Sequence, residues 1–195
     1  MSEKILSIPL QEKEIRELKV GDVVYLQGVI YTARDMAHLR MRDYLEEGKE
    51  LPVSLEGAAI FHAGPVVKEK ENSYDLVVIG PTTSIRMEPY SQMICEKGVR
   101  AIIGKGGMAE GSMKAFAKYG CVYLQAAPGC AVKIAEDVEE IENVYWLELG
   151  VPEAMWLLKT PKFGPLVVAM DSHGSSIYQN IKKEALEKIA IKYGE

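Results

Sequence analysis

The chain has 195 residues, of which 48% are hydrophobic and 26% charged, and its formal net charge is −5. This length suits one well-buried domain and leaves little room for two. The acidic balance argues against a general nucleic-acid-binding protein, which needs a broad basic surface. It does not exclude a local cluster of arginines that faces a small anion.

The sequence contains no recognisable membrane or export signal. No apolar run approaches the roughly 20 residues that span a bilayer, and the first eleven residues lack a basic stretch followed by an apolar one. Three cysteines, Cys95, Cys121 and Cys130, form no CxxC pair. Scattered cysteines in odd number indicate a reducing cytoplasm rather than a disulfide framework. They also match no familiar iron–sulfur or zinc spacing, so we expect no metal site within this chain.

Short strands and helices alternate along the sequence. Apolar, β-branched runs predict strands at 23–31, 58–62, 74–79, 100–103, 121–125, 144–149 and 163–170. The intervening patterns predict helices at 32–47, 87–98, 110–119, 131–137, 151–156 and 175–193. The connections are short and contain Gly or Pro, and no repeat or linker is visible. The sequence therefore predicts one α/β domain over residues 1–195, with a central β-structure flanked by helices.

The stretch 74–90 has the most unusual composition. Its β-branched apolar first half predicts a strand buried on both faces. After Gly80-Pro81 it continues with Thr82, Thr83 and, three residues later, Arg86. Ligands bind at the carboxyl ends of strands in α/β proteins. We therefore expect Thr82 and Arg86 to hold a small carboxylate.

Two further strand ends carry a cation. Arg34 opens the helix after the first strand, with Thr32 as the predicted N-cap, and a cation there is unfavourable unless an anion also binds. An exposed ion pair with Asp35 is the alternative explanation. Lys105 lies in GKGGM (104–108), where backbone N–H groups and the ammonium together suit an anion. Two arginines and a lysine suit a dicarboxylate or a phosphate, although independent surface charges are the alternative to one shared site.

Four motifs follow one another in the chain: TARDMAH (32–38), GPTTSIRM (80–87), GKGGM (104–108) and DSHGSSIY (171–178). Together they resemble the β subunit of class I, iron–sulfur-dependent fumarases and of L(+)-tartrate dehydratase, over a core of about residues 20–180. Larger single-chain relatives carry this unit as their C-terminal half. The resemblance implies a swivelling β/α fold and the reversible addition of water to a dicarboxylic acid double bond. The adjacent Asp, Ser and His of DSHG predict a helix-opening turn rather than a catalytic triad.

The resemblance also implies roles for residues at the matching positions. Arg34, Arg86 and Lys105 would bind the substrate carboxylates. Thr82 would contact the substrate where the proton is transferred and is the candidate catalytic residue, although a threonine hydroxyl needs neighbouring charges to act as a base. Three neighbours are expected to support them: Asp35, His38 and Thr83. The [4Fe–4S] cluster would be held by an α subunit, with one open iron site acting as a Lewis acid.

The sequence thus predicts a hydro-lyase β subunit that hydrates fumarate to (S)-malate and is active only with its α subunit. Dehydration of L(+)-tartrate to oxaloacetate is the close alternative, because Ser84-Ile85 stands where fumarases are expected to carry smaller residues. A non-catalytic, small-anion-binding regulatory domain is the alternative of another class. The expected partners are a dicarboxylate and the α chain in a hetero-oligomer, and neither nucleic acid nor membrane.

Overall fold

The computed structural model describes residues 4–71 and 73–193. The strands in these ranges are β1 (Lys4–Ser7), β2 (Val23–Thr32), β3 (Ala59–Phe61), β4 (Ala63–Glu69), β5 (Tyr74–Pro81), β6 (Ala101–Gly104), β7 (Val122–Gln125), β8 (Glu140–Tyr145) and β9 (Met155–Met170). The α-helices are α1 (Glu12–Arg16), α2 (Asp35–Glu46), α3 (Ser91–Glu96), α4 (Glu110–Tyr119), α5 (Ala131–Glu136) and α6 (Ile177–Tyr193). Short 3₁₀ helices cover Ser84–Tyr90 and Leu147–Leu149. The predicted α/β class is confirmed.

Five of the strands close into a barrel. Strands β2, β3, β6 and β7 are parallel neighbours in that order. Strand β9 runs antiparallel to both β7 and β2 and so completes the ring, while β1 and β8 pair with β2 and β9. A closed ring leaves its member strands without an open sheet edge. The predicted central β-structure is therefore this barrel.

Residues along the barrel strands alternate between two buried clusters, as the period of a β-strand requires. Phe61 and Ile103 belong to the cluster that fills the barrel. Ile60, Ile102 and Tyr123 belong to the second cluster, which also contains residues of helices α2, α3 and α4. Burial of each large apolar side chain contributes roughly 1.5–3 kcal/mol. These two buried clusters together hold the strand ends that surround the candidate site in place.

The carboxyl ends of β2, β3, β6 and β7 meet at one rim of the barrel, because these strands are parallel. The hairpin β4–β5 leaves the barrel after β3 and returns the chain to this rim. There the Thr82 N–H donates to the His62 carbonyl at 2.7 Å, and the Lys105 N–H donates to the Thr82 carbonyl at 3.3 Å. The segment after β5 therefore lies between the ends of β3 and β6.

The sequence-based prediction of a strand at 74–79 is right, but its predicted burial on both faces is wrong. Within the described residues, β5 pairs with β4 alone, in an antiparallel sheet outside the barrel. Exposed and partly buried side chains alternate along it, and Val77 is 49% exposed. Tyr74 and Leu76 pack against the barrel core from one face. The apolar run therefore reflects a hairpin with one buried face rather than a central strand.

Several other local predictions differ from the structure. Residues 151–156 form a turn followed by the start of β9, not a helix, and the strand predicted at 144–149 ends at Tyr145. The helix predicted at 87–98 begins earlier, as the 3₁₀ helix, and becomes α-helical at Ser91. Thr32 does not cap α2, because it is still part of β2. Its hydroxyl donates to the Ala154 carbonyl and accepts the Trp156 N–H, which joins β2 to β9.

Other predictions are confirmed. Helix α4 has the predicted bounds, and Gly120, with φ of +68°, ends it in the left-handed conformation that favours glycine. The segment after β9 is the predicted turn, in which the Asp171 carboxylate accepts the N–H groups of His173 and Ser175. In the ranges that the structure describes, no helix is long and apolar enough to cross a membrane.

Candidate active site

Arg86 contacts two other predicted residues, Asp35 and Thr82, at the barrel rim. Its Nε and Nη2 donate to the two carboxylate oxygens of Asp35 at 3.1 and 2.8 Å, so the pair is bidentate along one side of the guanidinium. Nη2 also donates to the Thr82 hydroxyl at 3.2 Å. Nη1 makes no hydrogen bond to any described residue. Asp35 thus holds the guanidinium on one side and leaves Nη1 available for an incoming carboxylate.

Arg34 precedes helix α2 at its N-cap position. Its Nη2 lies 3.1 Å from Oε1 of Glu153, and Oε2 of the same carboxylate accepts the Met36 N–H at 3.0 Å. The proposed local ion pair between Arg34 and Asp35 is therefore wrong, because each residue pairs with a distant partner instead. Gly64 leaves room for Arg34, since a Cβ there would lie 2.9 Å from Nη1.

Glu153 is the main site residue that the sequence reasoning missed. It lies in the segment predicted as a helix, where an early glutamate is explained by the helix dipole alone. In the structure it accepts a backbone N–H from the first turn of a different helix, α2, and balances the charge of Arg34. No signal within residues 151–156 indicates this long-range contact.

Lys105 follows β6, and its main chain is held on both sides. Its N–H donates to the Thr82 carbonyl, its carbonyl accepts the Ser84 N–H at 3.1 Å, and it forms a parallel β-bridge with Thr83. The Lys105 ammonium has no hydrogen bond or ion pair with any residue that the structure describes. Thr83 occupies the N-cap position of the 3₁₀ helix, and its hydroxyl makes no capping hydrogen bond within the described chain.

Two buried histidines lie beneath these residues. The Nδ1–H of His38 donates to the Arg34 carbonyl at 2.8 Å, which leaves Nε2 as the unprotonated nitrogen of the neutral ring. The His62 ring lies 5.2 Å from the His38 ring, edge to face. Nε2 of His38 and both ring nitrogens of His62 have no partner among the described residues. Burial lowers the pKa of His38 to about 4 and holds the pKa of His62 well below its ordinary value, so both rings are neutral near pH 7.

The cysteines do not form a cluster site. Cys95 and Cys121 are buried while Cys130 is exposed, and all three are unpaired. Among the described residues, no three His, Cys, Asp or Glu side chains are grouped closely enough to hold a metal ion. The donor set present in these residues therefore does not fit an iron–sulfur cluster.

The structure brings all seven predicted residues to one rim. Direct side-chain contacts join Asp35, Arg86 and Thr82, and backbone pairing places Lys105 beside Thr82 and Thr83. Arg34 adjoins Asp35 in the chain, and His38 supports the Arg34 carbonyl from below. Such a set of donors can grip a carboxylate beside one hydroxyl. The arrangement favours a small organic acid over independent surface charges.

Comparison with known proteins gives one consistent result. The family model described as Fumarase C-terminus matches residues 2–181. A Methanocaldococcus jannaschii protein provisionally named L(+)-tartrate dehydratase subunit beta is 49% identical over 92% of this chain and 93% of its own length. The Escherichia coli K12 L(+)-tartrate dehydratase subunit beta is 40% identical over 95% of this chain and 91% of its own.

A larger protein matches as well. A Geobacillus stearothermophilus protein provisionally named class I fumarate hydratase is 46% identical over 95% of this chain, which corresponds to 35% of that protein's length. The same unit thus occurs alone, as a subunit, and within a longer chain. With a family model that spans almost all of the sequence and relatives at 40–49% identity, the chain belongs to the fumarase C-terminus family.

Proposed function

We propose that this chain is the β subunit of a hydro-lyase that interconverts fumarate and (S)-malate in a site shared with an α subunit. The observation that carries the proposal is the Asp35–Arg86–Thr82 contact beside Lys105, at a strand-end rim of a family member. A guanidinium fixed on one side and a nearby ammonium suit the two ends of a short dicarboxylate. Arg34 extends the same donor set.

Thr82 is the residue of this chain proposed to exchange the proton with the substrate carbon. Its oxygen already accepts a hydrogen bond from the Arg86 guanidinium at 3.2 Å. A cationic donor stabilises negative charge that develops on that oxygen, which a threonine hydroxyl needs if it is to act as a base. Arg86 would thereby bind the substrate carboxylate through Nη1 and activate Thr82 through Nη2.

The α subunit is part of the proposal. It would carry the [4Fe–4S] cluster, which supplies a Lewis acid for the departing hydroxyl. Met36 and Ile85, which adjoin Asp35 and Arg86 in the chain, are 42% and 46% exposed, and apolar side chains at the edge of a polar site suit a covering partner. The three unpaired cysteines fit the expected cytoplasmic location. We also propose that the closed barrel is a swivelling β/α domain and that residues 1–195 form one domain.

Dehydration of L(+)-tartrate is the second candidate function. The names of the Methanocaldococcus jannaschii and Escherichia coli relatives favour it, whereas the name of the Geobacillus stearothermophilus relative favours fumarate. Both reactions add or remove water at the two central carbons of a four-carbon dicarboxylate. The rim residues of this chain serve either substrate.

The test is a substrate screen of the αβ complex, co-expressed and reconstituted with iron and sulfide. Activity with fumarate or (S)-malate supports the proposal, activity with tartrate alone supports the second candidate, and activity with neither overturns both. Dicarboxylate binding without turnover would support the regulatory alternative instead.

Arg86→Ala then tests the site. It should lower kcat/KM about 100-fold or more, the usual cost of losing a charged substrate contact. Arg42→Ala is the matched control, because Arg42 forms a similarly exposed pair with Asp43, and its ion pairs among the described residues are with Asp43 and Glu46 rather than with any proposed site residue. Equal losses in the two variants, or an unfolded Arg86→Ala chain, would mark Arg86 as a structural residue.

A further inference from the structure

A buried tyrosine contacts the loop that carries Lys105. We call residues 104–108 the lysine loop. The Tyr123 side chain is fully buried on β7, and its hydroxyl accepts the Gly107 N–H at 3.3 Å. The same hydroxyl donates to the Ser84 Oγ at 3.0 Å. One phenol thus links the lysine loop to the segment that carries Thr82 and Arg86.

The chain leaves room for this link at Gly104. A Cβ at that position would overlap the Ser84 Oγ and would lie 3.0 Å from the Tyr123 oxygen. Any other residue would therefore displace the Ser84–Tyr123 hydrogen bond. Burial raises the pKa of Tyr123, so its hydroxyl remains a donor throughout the physiological range.

A second tyrosine, Tyr178, also packs against the lysine loop. The Tyr178 ring covers Gly107 so closely that a Cβ there would lie 2.5 Å from ring carbons. Its hydroxyl donates to the Gln125 side chain, and its ring lies 6.4 Å from the Tyr123 ring, edge to face. Tyr178 ends the motif DSHGSSIY, to which the proposed function otherwise gives no role.

We propose that Tyr123 and Tyr178 are positioning residues that fix the lysine loop so that Lys105 meets a substrate carboxylate. This inference rests on the proposed role of Lys105 in the hydro-lyase site. Neither tyrosine contacts substrate; each acts through the backbone of the loop.

The physical reason lies in the composition of the loop. The Lys105 side chain is flexible, with four carbons between the backbone and the ammonium. The position of the Lys105 backbone therefore determines which positions the ammonium can reach. Gly106 and Gly107 follow it with φ of +83° and +75°, and glycine is the most mobile backbone residue. Without the Tyr123 hydroxyl, the Gly107 N–H loses its partner and the ammonium samples more positions. Carboxylate binding should then weaken in the ground state and the transition state alike.

Tyr123→Phe in the αβ complex tests the inference. We expect KM for the dicarboxylate to rise about tenfold while kcat changes less than about twofold, the pattern of a lost uniform binding contact. Tyr145→Phe is the control, since it removes a hydroxyl that accepts instead from Asn143 on β8. Its KM should remain that of the wild type. An unchanged KM in Tyr123→Phe, even with a lowered melting temperature, would overturn the inference and show a purely structural tyrosine.

A glycine pair supplies the matching test for Tyr178. Gly106→Ala and Gly107→Ala introduce the same strain at positive φ, but only the second Cβ meets Tyr178, whereas the first has no neighbour within 4 Å. KM should rise clearly more in Gly107→Ala than in Gly106→Ala. Equal KM values would contradict the role of Tyr178.

Two further measurements separate this inference from the proposed function. Should Tyr123→Phe fail to fold, Ser84→Ala removes the acceptor of the second hydrogen bond of the Tyr123 hydroxyl, which orients that hydroxyl toward Gly107, and should also raise KM. Calorimetric titration with succinate, which cannot react, should show about tenfold weaker binding to Tyr123→Phe than to the wild-type complex. Unaltered succinate affinity overturns the positioning role whether or not the complex turns over, whereas an inactive complex with weakened succinate binding rejects only the proposed reaction.

Discussion

Asp35 and Arg86 are 51 positions apart in the chain and form a bidentate ion pair at the barrel rim, with N–O distances of 3.1 and 2.8 Å. The two side chains are 38% and 44% exposed. At such exposure the pair contributes little to stability, about 0.2–1 kcal/mol. Its contribution is geometric, because it fixes the face that the Arg86 guanidinium presents to the site.

Asp35→Asn should therefore affect activity far more than stability. The amide keeps one acceptor but cannot make the bidentate pair, so Arg86 is held less firmly beside Thr82. We expect kcat/KM to fall about tenfold, with a change in unfolding free energy below about 1 kcal/mol. Steady-state kinetics and urea denaturation measure the two effects. The control is Asp43→Asn, which breaks the comparable pair with Arg42; a similar kinetic loss there would refute the prediction.

Glu153→Gln should act in the opposite way, mainly on stability. Glu153 is 19% exposed and Arg34 26%, and the Arg34 Nε is already buried without a partner in the described chain. Removing the charge leaves a partly buried guanidinium less compensated, at a cost of about 1–2 kcal/mol. Glu148→Gln breaks the Arg40 pair at a carboxylate that is 63% exposed, so its loss of unfolding free energy should be clearly smaller than that of Glu153→Gln. Chemical denaturation measures the unfolding free energy of both variants. Equal losses in Glu153→Gln and Glu148→Gln would contradict the prediction.

Glu88 should be a further stabilising residue, because its carboxylate serves the start of helix α4. It accepts the N–H groups of Ala109 and Ser112 at 2.8 and 2.9 Å, together with the Ser112 hydroxyl. These N–H groups would otherwise lack a helical partner. Glu88→Gln should lower the unfolding free energy by about 1–2 kcal/mol. Glu110→Gln, in the same first turn but paired with Lys114 in solvent, should lower the unfolding free energy clearly less than Glu88→Gln in the same denaturation experiment.

The buried His38 predicts a loss of stability in mild acid. Burial lowers its pKa in the folded chain to about 4, against an ordinary value of 6.5, while the Arg34 carbonyl and the Asp35 charge only partly oppose this. The folded state then binds fewer protons than the unfolded state between these two values. The contribution of His38 is fully present above pH 6.5 and is lost as the pH falls toward about 4, by about 3 kcal/mol at most.

Urea denaturation across that pH range measures this effect. The unfolding free energy of the wild type should fall with decreasing pH more steeply than that of His38→Gln. The difference between the two slopes should correspond to the uptake of close to one proton on unfolding. The adjacent buried His62, whose pKa is also lowered by burial, adds to the wild-type slope and remains in the variant. Identical slopes would show that His38 does not titrate as its burial requires.

The sequence predicted which residues would lie together at the rim better than it predicted the elements around them. Arg34 and Lys105 were identifiable because each is a cation after a strand of the parallel set, whose carboxyl ends meet at one rim. Arg86 also follows a predicted strand, but that strand belongs to the antiparallel hairpin, and the backbone bonds of Thr82 to His62 and Lys105 bring its segment to the rim. Helix α4 was predictable because a local pattern and Gly120 define it. These features depend on short stretches of chain.

The remaining features depend on contacts between distant segments. The β-branched run of β5 is compatible with a central strand or a hairpin, and only its pairing with β4 decides. Glu153, Tyr123 and Tyr178 carry no local signal, because their roles arise from partners in other elements. For the same reason the buried ring of His62 could not be placed beneath the site from its sequence neighbours.

The pairing of both arginines has an electrostatic consequence for the chain on its own. Arg34 is balanced by Glu153 and Arg86 by Asp35, so among the predicted cations of the rim that the structure describes, Lys105 is the one whose charge is uncompensated. A dianionic substrate brings two negative charges. Bound to this chain alone, it would leave one negative charge at the rim without a positive partner. This half of the site therefore matches a monoanion in charge. We expect preference for dianions, and the salt dependence that goes with it, to arise only on assembly with a partner that adds positive charge.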